Sequence, residues 1–434
     1  MLRNCRAMSS LIQIDGSLGE GGGQVLRIAL TLSTLYGIPI EIENIRAGRP
    51  KPGLAAQHLK CVELAKEMCN AKVRGGYIGS TRLEYRPGPL NKYQREYVAD
   101  TKTAGCICLL AQVALPCALF LPHDNTILLK GGTNVPMGPH IEYLSRVFQP
   151  MLRKFGATFH CEVWSRGYYP KGGGKVCFSI QPIRNLNSVT LIDPGVPKEI
   201  KGWSYVAGAV HIKEAQKMAN DAKTTLTKTL TENNIRVPSI IVESNVESKP
   251  AIGNGSGINI VCTTSTECIL GGSGLSCGPR DRSSPGETAA NEILKPLLAG
   301  ACVDEHMQDQ VSMSRTRCRV LHLFSIHCFV LQMIILMALA KGVSRIKVSG
   351  KQLTCHTETA MQVAEIMLGN RGLHFNLSEN TDDKGVLSYI LECQGCGLIN
   401  NNPYIQTKLD PSCVASERTE FLNKLDANVA SNAQ

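Results

Sequence analysis

Aromatic side chains are scarce in this chain: 9 Phe, 11 Tyr and 2 Trp amount to 5% of its 434 residues. That is little for a protein that reads a long single strand by base stacking. Contact with a phosphate-bearing nucleic-acid end is the better expectation. The P-loop pattern G-x-x-x-x-G-K-[ST] is absent, and the densest glycine stretch does not spell G-x-G-x-x-G. The polar amino terminus has no secretory h-region, and its first eleven residues read as a loose or alternative start. Eighteen cysteines are present, but several (Cys61, Cys106, Cys108, Cys117) sit among apolar neighbours, as small core residues do. A reducing, intracellular setting is expected rather than a disulfide framework. Cys393 and Cys396 make one C-x-x-C with no second pair, so no zinc site is expected. The charges show no compelling localisation run.

What is present suits an ordinary globular protein, long enough for two domains with large cores. Hydrophobic residues are 43% and charged residues 19%. The net charge of +10 permits an acidic partner such as RNA without requiring one.

The chain is organised around Gly16-Ser17-Leu18-Gly19-Glu20-Gly21-Gly22-Gly23-Gln24, followed by the apolar run Val25–Tyr36. Clustered glycines mean that backbone approaches something closely. Glu20 is the one acid there, where a loop enters a predicted helix, and phosphate is the natural ligand of a helix N-terminus. Further on, Arg46-Ala47-Gly48-Arg49-Pro50-Lys51-Pro52-Gly53 puts three cations in a loop stiffened by two prolines. The pair suits a polyphosphate or a nucleic-acid end; the competing reading is a purely structural turn.

One plan recurs three times. Copy one has a helix (Val25–Tyr36), a strand (Pro39–Ile45), an amphipathic helix (Gly53–Asn70) and a hairpin (Lys72–Tyr85). In copy two these become Gly105–Leu119, Asn125–Lys130, Ile141–Phe155 and a hairpin from Thr158 to Ile180. In copy three the first helix starts near Gln308, the strand is Ser344–Val348, the second helix Thr357–Leu368, and the hairpin Leu373–Glu392. Helical spacing is clear in Leu59, Val62, Leu64, Ala65 and Met68. The implied unit is βαβαββ, and the fold class is α/β (α+β), with sheets covered by helices. Residues 186–284 interrupt the plan with a small α/β unit: Tyr205–Val210, the helical run Ala215–Leu230, Ser239–Val246 and Ile258–Thr264. The Gly/Ser/Pro-rich segments Gly253–Gly257 and Gly271–Pro285 lie within and close that unit. The predicted divisions are 12–185, 186–284, 285–397 and a mobile polar tail, 398–434.

Four histidines (His58, His140, His160, His211) read as structural or surface groups. His356 differs, because it lies after the strand ending near Val348 and before a helix, where α/β architectures present ligand-facing residues.

The segments GEGGGQVLR, IRAGRPKPGLAAQHL, TKTAGCICLLAQV, KGGTN, RGYYPKGGGKV and DEHMQDQ, in this order, closely resemble the RNA 3′-terminal phosphate cyclases. The resemblance runs from about Ile12 to Gly397. It implies a large domain of three repeats with an inserted small domain, a fold shared with enolpyruvate transferases. It also implies an ATP-dependent, ligase-class enzyme of RNA processing that works in the nucleus with Mg²⁺ or Mn²⁺ and without a membrane. Its substrate is an RNA 3′-phosphate, converted to a 2′,3′-cyclic phosphodiester through enzyme-histidine-AMP and RNA-3′-pp-5′-A. By resemblance His356 is the nucleophile and Glu20 a metal and triphosphate ligand. Arg27, Arg46, Arg49 and Gln57 bind substrate phosphate or RNA. Gln112, Pro139, His306, Asp309 and Gln310 contact ATP. His306 departs from the family's usual tyrosine there, which weakens the expected stacking on adenine. The competing reading for Arg27 is a helix-surface ion pair. Alternatives are the non-catalytic cyclase-like proteins of ribosome biogenesis, which lack the nucleophilic histidine, an RNA-end binding protein without turnover, and an enolpyruvate transferase.

The segment 311–332, VSMSRTRCRVLHLFSIHCFVLQ, has no place in that pattern. Without it Gln310 joins Met333, and the joined stretch resembles the family's uninterrupted helix. Val320–Ala340 holds no Asp, Glu, Lys or Arg, so hydropathy alone proposes a membrane span. The preferred reading is translated intron sequence or a misassembled gene model. Such a plug in a buried helix should strain the core, so this chain could be inactive within an active family.

Overall fold

A computed structural model of the chain describes residues 11–136, 138–276, 284–304, 330–348, 353–381, 387–402 and 405. Three of its four sheets have the same topology. In the first, β1 (Ile12–Asp15) runs parallel to β2 (Ile40–Glu43). Helix α1 (Gly23–Tyr36) crosses between them, and α2 (Ala56–Cys69) leads to the hairpin of β3 (Lys72–Arg74) and β4 (Leu83–Arg86). β4 returns antiparallel to β2, giving the order β1-β2-β4-β3.

The second sheet repeats this with β5 (Glu96–Asp100), α3 (Ile107–Ala118), β6 (Asn125–Gly131), a second helix α4, and the hairpin β7 (Phe159–Gly167) and β8 (Gly174–Ile180). Helix α4 runs through Ile141–Tyr143, a π-helical stretch Leu144–Phe148, and Gln149–Lys154. The third sheet opens with β9 (Thr190–Leu191), and its crossover is interrupted by the inserted unit. That unit comprises β10 (Pro197–Ala207), α5 (Ile212–Glu232), β11 (Ser239–Val246), the short β12 (Ala251–Ile252) that pairs with β7, β13 (Gly255–Thr264), β14 (Ile269–Leu275) and α6 (Pro285–Leu298). The third repeat then resumes with α7 (Val330–Leu339), β15 (Lys341–Val348), α8 (Cys355–Leu368) and the hairpin β16 (His374–Thr381) and β17 (Leu387–Cys396). The α/β class and the threefold βαβαββ plan are therefore the observed architecture.

Secondary-structure contacts cross the boundaries expected at 186 and 284. β9 pairs with β15 of the third repeat. Helix α6 packs on α5, β13 and β14, and its Ala289, Ala290 and Ile293 share a core with Ile200, Leu226 and Ile258.

Two strands of the inserted unit differ from expectation. β10 begins at Pro197, ahead of the expected Tyr205. Its early charged residues, half-buried Glu199 and exposed Lys201, alternate with buried Ile200 and Gly202, and the charges obscured the strand. β14 falls in a stretch read as Gly/Ser-rich linker. Its glycines instead let α6 lie against the sheet: a Cβ on Gly272 would overlap Ala289 O, and one on Gly274 would overlap Pro285 O.

Helix α1 is the hub, because every residue from Gln24 to Leu35 is buried. It packs against α2, α3, α7 and α8, so all three repeats converge on it. Gly37, in the left-handed region at φ +66°, ends the helix by donating its N–H to Ser33 O. Cys61, Cys106, Cys108 and Cys117 lie in the core around it. Among the described residues no helix is long and apolar enough to cross a membrane. The expected start of copy three near Gln308, all of the insertion before Val330, and the tail from 406 lie outside the described residues.

Candidate active site

The loop Gly16–Gly22 emerges from β1 and feeds α1, and its tight fit explains the glycines. Gly19 adopts φ +60°, and a Cβ there would overlap Thr359 Oγ1 on α8. A Cβ on Gly23 would overlap His58 and lie 2.9 Å from the Arg27 guanidinium. The loop is thereby pressed between the opening turn of α8 and the basic residues of the first repeat.

His356 is the second residue of α8. Thr354 caps this helix, its Oγ1 accepting the Thr357 N–H at 3.2 Å. The imidazole is buried, with Nδ1 at 3.4 Å from Glu20 Oε1. The other carboxylate oxygen of Glu20 stands 3.7 Å from an Arg49 guanidinium nitrogen. Gln24 Nε2 reaches the His356 carbonyl at 3.5 Å. A residue of the third repeat is thus set against Glu20 and Gln24 of the first, and Glu20 in turn against Arg49.

Arg27 is buried on the first turns of α1, and its Nε donates to Gln112 Oε1 of α3 at 2.7 Å. The surface ion pair weighed for Arg27 is not what forms; the side chain lies inside, aimed by an amide from the second repeat. Gln112, fully buried in an apolar helix, has found the partner that such a group requires.

Arg46 takes a left-handed φ of +55°, uncommon for a residue with a side chain. Its guanidinium donates to Lys51 O at 3.0 Å and Gly53 O at 2.9 Å, so it braces the basic loop from within. Burial, and then the charge of Arg49, lower its pKa from the ordinary guanidinium value. Two crowded cations make this loop receptive to anions. His58 is buried beneath the glycine loop and accepts the Ala55 N–H on Nδ1 at 3.2 Å. Burial, then Arg27 and Arg46, pull its pKa down to about 3, so it is neutral at physiological pH.

The second repeat closes the far side. Gln57 Oε1 accepts the Cys106 N–H at 3.3 Å, and Cys106 Sγ lies 3.5 Å from Pro139 O. The structure therefore links His356 to Glu20 and Arg49, Arg27 to Gln112, and Gln57 through Cys106 to Pro139. His306, Asp309 and Gln310 lie outside the described residues. Gln24 was not singled out from sequence as a site residue, although it is an amide at the start of an apolar helix.

A family model described as RNA 3′-terminal phosphate cyclase matches residues 18–316. The chain belongs to the RNA 3′-terminal phosphate cyclase family. It is similar to the RNA 3′-terminal phosphate cyclase of Drosophila melanogaster, 34% identical over 390 residues, which cover 90% of this chain and 98% of that one. With the cyclase of Pyrobaculum neutrophilum it shares 34% identity over 388 residues, 89% of this chain and 99% of the other. The cyclase of Ignicoccus hospitalis is 37% identical over 303 residues, 69% of this chain and 83% of its own length. In this cyclase-family chain, the candidate site residues come from all three repeats.

Proposed function

We propose that this chain converts an RNA 3′-terminal phosphate to a 2′,3′-cyclic phosphodiester at the expense of ATP, with His356 as the nucleophile. The observation that carries this reading is the placement of a buried histidine against Glu20, beside a glycine loop and a pair of crowded arginines.

The residues fit a nucleoside triphosphate with a divalent cation. Helix α1 opens without a side-chain cap or an acid in its first turn, which suits phosphate. Glu20 is a partly exposed hard donor, and Mg²⁺ characteristically takes one or two carboxylates together with substrate phosphates. Such a cation, Mg²⁺ or Mn²⁺, would neutralise phosphate charge there. Arg27, Arg46 and Arg49 bind phosphate oxygens, and Gln57 helps to hold the RNA end. Gln112 and Pro139, with His306, Asp309 and Gln310, form the ATP side.

In the first step an imidazole nitrogen of His356 attacks the α-phosphorus of ATP. A nitrogen–phosphorus bond forms and the bond to pyrophosphate breaks. Glu20, on the Nδ1 side, holds the ring with its other nitrogen available for attack. The RNA 3′-phosphate oxygen then displaces His356 from the adenylate, giving the mixed anhydride RNA-3′-pp-5′-A. Finally the neighbouring 2′-OH attacks the 3′-phosphorus, AMP leaves, and the hydroxyl proton is lost. That ring closure gains the effective molarity of an intramolecular reaction, so the protein mainly positions groups and balances charge.

One observation favours a second reading, RNA-end binding without turnover: the apolar segment 311–332 follows directly on Asp309-Gln310. ATP labelled in its α-phosphate decides between them. Acid-labile, alkali-stable label on the full chain, absent from His356→Ala, supports the enzyme. Label only on a chain lacking 311–332 means that the segment silences it. No label on either supports the second reading.

A further inference from the structure

Two consecutive large apolar side chains stand open at the tip of the β3–β4 turn, Tyr77 at 64% and Ile78 at 66% exposure. The turn itself is rigidly held. Ser80 N–H donates to Tyr77 O at 3.1 Å, Gly79 N–H to Leu54 O at 2.8 Å, and Leu54 N–H to Ser80 O at 3.0 Å. A Cβ on Gly53 would overlap the Gly79 backbone. The turn is therefore clamped to Gly53 and Leu54, where the basic loop ends. It also lies at the site's end of the first sheet, since Ile42 pairs with Leu83 and Ile45 N–H donates to Thr81 O at 3.0 Å.

Charge around this turn is unevenly compensated. On the hairpin, Arg74 pairs with Glu84 at 3.5 Å and Arg82 with Glu41 at 2.6 Å. In the loop beneath, neither Arg46 nor Lys51 has a carboxylate partner among the described residues. An open aromatic side chain on a turn clamped to the end of a basic loop suits a nucleobase on a phosphodiester chain: the base stacks while the loop's cations meet phosphates. Two side chains make too small an apolar patch to favour a folded protein partner. They match the short footprint implied by the low aromatic content.

Resting on the functional reading above, we propose that Tyr77, supported by Ile78, is a stacking platform for a nucleobase just upstream of the RNA 3′-phosphate. The platform adds affinity for single-stranded RNA and plays no part in the reaction with ATP.

The test is equilibrium binding of a short dye-labelled single-stranded RNA ending in a 3′-phosphate, measured by fluorescence anisotropy with the full chain. Tyr77→Ala weakens binding about tenfold, as loss of one stacked base implies, and Tyr77→Phe restores it. RNAs made abasic at successive upstream positions identify the base: at one of them wild type and Tyr77→Ala bind alike. Tyr93→Ala, 91% exposed and on the far side of the first repeat, binds as wild type. Equal affinity of wild type and Tyr77→Ala for the intact RNA overturns the platform. Labelling of His356 by ATP without RNA separates this from the functional reading. Normal labelling with an unchanged RNA affinity sinks only the platform, whereas no RNA binding by wild type sinks both.

Discussion

Arg27 Nε donates to Gln112 Oε1 at 2.7 Å, so a helix of the second repeat aims a guanidinium carried by a helix of the first. Both side chains are buried. Gln112→Leu removes an acceptor from a buried charged donor, a loss of about 1.5–3 kcal/mol. Urea unfolding should show that loss. The misdirected guanidinium should also raise the ATP concentration needed for half-maximal labelling of His356. Gln112→Glu, which keeps an acceptor, should recover most of the stability.

Glu20 lies between His356 and Arg49. Glu20→Gln keeps the shape and removes the charge. Labelling should fall by about a hundredfold, within the range for a positioned group in transition-state charge stabilisation. The Mg²⁺ concentration for half-maximal labelling should rise. An unchanged Mg²⁺ titration would remove Glu20 from the metal role and leave it only the orientation of His356.

His58 makes stability depend on pH. Its pKa falls from 6.5 to about 3 on folding, chiefly through burial. Between those values the unfolded chain binds a proton that the folded chain does not. The stabilisation is therefore complete above pH 6.5 and is lost as pH falls toward 3, by up to about 1.4 kcal/mol per pH unit. His58→Gln should flatten this part of the profile in urea unfolding at pH 7 and pH 5. Parallel wild-type and variant slopes would refute the assignment.

Arg166 joins Glu142 and Glu247, each at 2.6 Å, and so ties α4 to the inserted unit. All three side chains are at most 14% exposed. Arg166→Met leaves two carboxylates buried together without their cation, a loss of about 3–5 kcal/mol by the usual cost of breaking a buried pair. Adding Glu142→Gln and Glu247→Gln should return part of it. Thermal unfolding of the single and triple variants measures both effects.

Much of the architecture was readable from local pattern. Apolar spacing marked α2, and the recurring order of helices and strands announced three similar sheets before any pairing was known. The misses have local causes. Charges on the open face masked the start of β10, and glycines made β14 look like linker. The short leading strand β9 was invisible because its pairing partner, β15, is far along the chain and contributes most of the order.

Sequence by itself determined which chemistry is available: a glycine loop with one acid, a loop of three cations, and a histidine opening a helix after a strand. These are local properties of residue type and spacing, and they also carried the family resemblance. Tertiary structure decided how those parts meet. His356 reaches Glu20, and Arg27 reaches Gln112, only because α1 packs against α8 and α3 in one core. The burial that makes His58 neutral and the clamp that holds Tyr77 beside the basic loop arise the same way. Contacts between segments distant in sequence depend on packing and on which sheet edges pair, and no local pattern encodes them.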